Sequence, residues 1–177
     1  MSRYRADENL PYFCTITVRD WVPAFLDSRY IDPIIESLSY CRTKKGLQLF
    51  AYVVMPNHLH MIAAARELHA VVRDFKRYTS RCIHERLVAD HRQTILNWLE
   101  QAAQHARRDR DEFSFWEDGF HPQAIYTTAV FDQKLRYLHE NPVRKGLVRR
   151  PEDWWFSSAG WYAGDEESCL QMDRLEL

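Results

Sequence analysis

Apolar and polar positions alternate in "YFCTITV" (12–18), the period of a strand with one buried face. In "SRYIDPIIESLSYCRTKKG" (28–46), Ile31, Ile34, Ile35, Leu38 and Cys41 recur at helical intervals, and two lysines and Gly46 stop the helix. "LQLFAYVVM" (47–55) and "NHLHMIAAA" (57–65) are strand-like, with a break at Pro56-Asn57. Polar-faced helices follow over 67–90 and 93–108. The stretch 113–127, which contains Pro122, is irregular and carries a short strand at 123–127. Thr127 or Thr128 caps a last helix that ends at Asn141, because the residue before a proline is pushed out of helical geometry. The aromatic "PEDWWFSS" packs back onto the rest. This order predicts one α+β domain over 1–177, with helices on one face of a mainly antiparallel sheet and a C-terminal extension from about residue 142.

Composition narrows this picture. A chain of 177 residues with 14% aromatics can bury a real core, and five glycines leave little room for linkers. Cys14, Cys41, Cys82 and Cys169 form no CxxC pair, and no signal peptide is recognised, so reduced thiols in a cytoplasmic protein are expected. The longest apolar run, "LFAYVVM", is too short to span a bilayer. The net charge of −1 hides an asymmetry. Six cations (Lys134, Arg136, Arg144, Lys145, Arg149, Arg150) and one acid lie between 134 and 150, and seven acids and only Arg174 follow.

The candidate chemistry begins with His58 and His60. On a strand they point to one face, with Leu59 and Met61 on the other, and two imidazoles so placed can share a cation. A histidine-triad hydrolase would need a third histidine where Ile62 stands, and a zincin would need H-E-x-x-H, which is absent. A third ligand must come from elsewhere. In "FDQKLRYLHENPVRKGLV" (131–148), Phe131, Leu135 and Leu138 form the core stripe, and Tyr137 and Asn141, four apart, share a flanking face. Asn141 offers a carboxamide oxygen to a hard cation, and Tyr137 a phenolic nucleophile. Tyr78 in "FKRYTSR" has a similarly basic setting, so basicity does not choose between the two tyrosines.

"AYVVMPNHLHMI" resembles the HUH motif of the single-tyrosine transposases, and "RYLHENPVRKGLV" followed by "PEDWWFSSAGWY" resembles the tyrosine helix and C-terminal region of the REP-associated tyrosine transposases. "FWEDGFHPQAIYT" is similar to the segment before that helix, and the likeness runs from "YFCTITV" to about Trp161. The resemblance implies a ferredoxin-like HUH domain, with His58, His60 and Asn141 as metal ligands and Tyr137 as the nucleophile, and nothing catalytic at Tyr78. It also implies cleavage and rejoining of single-stranded DNA with hairpin or palindromic repeats, through a 5′-phosphotyrosine link. Imidazole and oxygen ligands suit magnesium or manganese, and the adjacent Glu140 is an alternative third ligand. Lys134, Arg136, Arg144 and Lys145 are expected on phosphates. Trp116, Phe120, Trp154 and Trp155 would stack bases or pack the core. The region 85–112 is longer and more charged than the family pattern, and the whole chain is less basic than a DNA-binding enzyme usually is. Two other readings are a domesticated module that holds DNA hairpins without cutting, and a metal-dependent hydrolase with no covalent step. Both a monomer and a homodimer with shared sites are compatible with the sequence.

Overall fold

The computed structural model describes residues 10–105, 115–165 and 167–175. The apolar run before Pro56 forms strand β2 (Gln48–Met55), and the histidine-bearing segment after it forms β3 (His58–Ala64). Pro56-Asn57 is the two-residue turn between them, closing on the Met55–His58 pair. Strand β1 (Tyr12–Thr17) lies on the other side of β3, and the sheet is completed by β4 (Gln123–Ala124) in the order β2-β3-β1-β4. All neighbouring strands are antiparallel. Two β-α-β units are thus interleaved, the ferredoxin-like arrangement expected from the motifs. The strand expected over 123–127 is only two residues long. Ile125 N–H still reaches Pro11 O at 2.9 Å, but Tyr126 turns out to solvent and Thr127 caps the next helix through Val130 N.

Helices cover both faces of the sheet, not the one face expected. Helices α1 (Ser28–Lys44) and α2 (Leu68–Ala89) bury Ile31, Ile34, Leu38, Val72 and Phe75 in one cluster with Cys14, Ile16, Leu59 and Met61. Helix α4 (Thr128–Arg144) buries Phe131 and Leu138 in a second cluster with Phe13, Val53, Met55 and Ile62. The strands are apolar on both faces, so each face needs a cover. Helix α3 (Gln93–His105) follows α2 and packs beside the turn at residues 19–21. Residues 106–108 of the helix expected there lie outside the described residues.

Two prolines sit inside helices. Pro33 cannot donate to the Arg29 carbonyl, and the Arg86 guanidinium donates to it instead. Pro142 does not end α4 as the sequence predicts. It falls in the last turn, where only the bond to Leu138 O is lost, and it is buried. Lys145 N–H to Asn141 O (3.1 Å) and Leu147 N–H to Pro142 O (2.9 Å) hold the turn together. Asn141 therefore keeps helical register with Tyr137.

The C-terminal segment returns along β2, as its aromatic composition suggests. Val54 N–H donates to Phe156 O and Ser158 N–H to Tyr52 O, both at 2.9 Å, and Leu49 N–H meets the Asp173 carboxylate at 2.7 Å. An edge strand that would present open backbone groups is covered by the chain itself. His139 of α4 joins this cover, its Nε2 2.8 Å from Ser158 Oγ. Helix α5 (Ala159–Tyr162) completes the segment.

Candidate active site between the sheet and helix α4

Register places the histidines. In the β1–β3 ladder Thr15 lies opposite His60 and Thr17 opposite His58. Directly opposed side chains lie on the same face, so the Thr15 hydroxyl reaches His60 Nδ1 at 2.9 Å. His58 Nδ1 is 2.7 Å from the carboxamide oxygen of Asn57, the last residue of the hairpin turn. The Asn57 amide group donates to Trp21 O at 3.1 Å, which fixes the orientation of that carboxamide. His58 therefore donates through Nδ1 and carries its lone pair on Nε2. Thr15 can hold His60 in the same tautomer. The two rings stand 4.6 Å apart between centroids, and each residue is only 6% exposed.

Burial keeps both rings neutral. Loss of water lowers the His58 pKa to about 4, aided by Lys145, and lowers that of His60 to about 3, aided by His58 and Lys134. Neutral imidazole is the form that ligates a metal.

Helix α4 crosses above this pair. Tyr137 is 40% exposed, its ring edge-on to His60 at 5.7 Å and to Phe13 at 5.9 Å. Lys145, two turns on, is close enough to His58 to act on its charge. The helix thus runs from His60 towards His58. Asn141, midway on the Tyr137 face, is buried with its amide donating to Tyr137 O at 3.3 Å. That leaves its Oδ1 for a cation. Among the described residues no cluster of three His, Cys, Asp or Glu gathers anywhere. Glu140 is paired with Arg144 at 2.7 Å, whereas Asn141 is buried on the Tyr137 face of α4. Two buried imidazoles and one carboxamide oxygen are donors that fit a divalent cation that also keeps water or phosphate oxygens.

The expected phosphate contacts divide. Lys134 lies over the Phe13 ring at 4.7 Å and donates to Gln123, and Arg144 lies over the Tyr137 ring at 5.4 Å. With Lys145 they put three cations around the tyrosine and the histidines. Arg136 is exposed on α4, and no described contact joins it to the pair. Tyr78 sits on α2, the helix that packs in the other cluster, so the two tyrosines belong to different faces of the sheet.

Of the aromatic candidates, Trp116 is core. It is 3% exposed and donates its indole N–H to Thr79 at 2.9 Å. Phe120 and Trp154 are partly buried against the two clusters, and only Trp155 is well exposed. Sequence reasoning passed over Thr15, Asn57 and Trp21. Thr15 carried a signal, being polar on a strand face shared with Phe13.

The chain is similar to known proteins in sequence and in fold. The profile of the family described as "Transposase IS200 like" matches residues 23–98, a segment that holds both histidines but not α4. A Haemophilus influenzae (strain ATCC 51907 / DSM 11121 / KW20 / Rd) protein, provisionally named a REP-associated tyrosine transposase, is 24% identical over 160 residues, or 89% of this chain and 85% of that protein. Among solved structures, a REP-associated tyrosine transposase bound to a REP hairpin superposes with a TM-score of 0.67 at 19% identity. That alignment covers 100% of this chain and 95% of the other. The resemblance seen in the motifs to the REP-associated, single-tyrosine transposases holds in the family profile and in a curated relative, and the fold is shared.

Proposed function

We propose that this chain is a metal-dependent endonuclease and strand transferase for single-stranded DNA carrying hairpin repeats, acting through Tyr137. The observation that carries the reading is the Tyr137 ring beside two neutral, buried imidazoles on one face of the sheet, with the buried Asn141 one turn along the same helix. The relative solved with a REP hairpin supports DNA hairpins as the substrate class.

His58, His60 and Asn141 would hold magnesium or manganese. Bound there, the ion would polarise a non-bridging oxygen of the scissile phosphate. Asn57 holds His58 in the ligating tautomer, Thr15 is bonded to His60 Nδ1, and burial keeps protons off both rings. Tyr137 Oη attacks phosphorus in line. The P–O3′ bond breaks, the leaving 3′ oxygen takes up a proton, and the phosphate remains joined to tyrosine through its 5′ side. Attack of another 3′-OH on that phosphotyrosine restores the phenol and joins the strands, with no external energy source. Lys134, Arg144 and Lys145 offset phosphate charge around the site, and Arg136 extends the positive face of α4. The C-terminal segment covers the β2 edge, so that edge is closed to pairing with a second copy.

A labelled hairpin oligonucleotide incubated with manganese tests this. Wild type should give a protein–DNA adduct that survives a denaturing gel, and Tyr137→Phe should give none. Cutting by Tyr137→Phe would mean that water is the nucleophile and the chain is a hydrolase. Hairpin binding without any cutting would favour a domesticated binding module.

A further inference from the structure

Residues 19–21 are held in a conformation that ordinary side chains seldom adopt. Asp20 and Trp21 have φ values of 49° and 58°, in the left-handed region, and neither is glycine. Such backbone persists only where its surroundings determine it, and it concentrates at sites of function. The surroundings here are explicit. Arg19 N–H donates to Phe115 O at 2.9 Å, and its guanidinium reaches Trp116 O at 3.3 Å and Asp118 at 3.2 Å. Asp20 N–H is bound by Glu117 at 2.7 Å. Trp21 O accepts from Asn57, the same side chain that orients His58.

The product of this clamping is an exposed indole. Trp21 is 57% exposed, with its ring edge-on to His58 at 5.5 Å. A large apolar ring fixed in water beside the candidate metal ligands adds nothing evident to the core. The acids around it, Asp20 and Glu117, make the strap a poor phosphate site, so its contact with a nucleic acid is through the ring. Bases present a flat apolar face that such a ring accepts without regard to sequence.

We propose that Trp21 is a stacking platform that seats the nucleobase next to the scissile phosphate. This rests on the single-stranded DNA reading above. The platform lies across the histidine pair from Tyr137, which meets His60 while Trp21 meets His58. Asn57 couples the two parts, because one carboxamide sets both the strap and the His58 tautomer. The strand would thus run past the indole, over the histidines and on to the tyrosine.

The test is a set of hairpin oligonucleotides in which 2-aminopurine replaces each single-stranded base in turn, bound in EDTA so that nothing is cut. Wild type should quench the fluorescence sharply at one or two adjacent positions. Trp21→Ala should lose that quench and bind roughly 5- to 140-fold more weakly, the range for one lost base stack. Trp21→Tyr should restore both, with melting temperatures of all three alike. An unchanged profile and affinity in Trp21→Ala would overturn the platform. So would a fall in melting temperature that Trp21→Tyr does not repair, since that is a structural role. If wild type binds no oligonucleotide at all, the DNA reading itself fails and takes the platform with it.

Discussion

Lowering the pH from 7.5 to 5 should weaken this fold before most carboxylates titrate. Three histidines are held neutral by loss of water, His58 and His60 buried and His139 partly so. Loss of water brings His58 and His139 to about 4 and His60 to about 3, against an ordinary value of 6.5. The unfolded chain therefore binds protons first as pH falls, so the stability these rings allow is complete above about 6.5 and drains away towards 4. At pH 5 each ring costs about 2 kcal/mol relative to pH 7.5, and the three together about 6 kcal/mol. That is a large part of the 5–15 kcal/mol typical of a domain. Asp27, Asp74, Asp153 and Asp173 lie below the ordinary 3.8, so their contributions are lost only at lower pH. Urea unfolding followed by tryptophan fluorescence is the assay. At about 2–3 kcal/mol per molar the midpoint should move down by about 2–3 M. His139→Gln should remove about a third of that shift and leave the metal ligands intact. Midpoints that agree within about 0.3 M at the two pH values would mean that these rings are not buried as described.

Metal and salt give two further expectations. Manganese titrated calorimetrically into wild type should bind at one site, His58→Ala should abolish that binding, and Asn141→Ala should weaken it; equal binding by wild type and His58→Ala would remove the proposed ligand set. Affinity for single-stranded DNA should fall steeply with salt, and Lys134→Ala combined with Arg144→Ala should reduce the log–log slope by about 1.4, near 0.7 per lost phosphate contact. An unchanged slope would move the DNA to another surface.

How much of this could be read in the sequence depended on whether the determinants were local. Period two and period 3.6 located β1, β2, β3, α1 and α2 to within a residue or two, because burial of one stripe decides them. The H-x-H face and the Tyr137–Asn141 face were legible for the same reason. What was missed depended on distant partners. Pro142 looked like a stop, yet burial of Asn141 and Pro142 and the bonds of residues 145–147 carry α4 past it. For Trp116 the sequence left base stacking and core packing both open, and the bond from its indole to the Thr79 hydroxyl places it in the core. The strap at 19–21 has no period and no glycine, and it is set by residues 115–118, nearly a hundred positions away. The second sheet face was legible in principle, since β3 is apolar or histidine throughout.

The central claim is that Tyr137 becomes joined to the 5′ side of the broken strand. The most direct measurement is to trap the adduct on a hairpin oligonucleotide labelled at its 3′ end, digest it with trypsin and sequence the labelled peptide by mass spectrometry. The account predicts one modified residue, Tyr137, bearing a 5′-phosphate and the 3′-labelled fragment, while a 5′-labelled strand is released with a free 3′-OH. Modification of Tyr78 instead, or an adduct that retains the 5′ label, would contradict it.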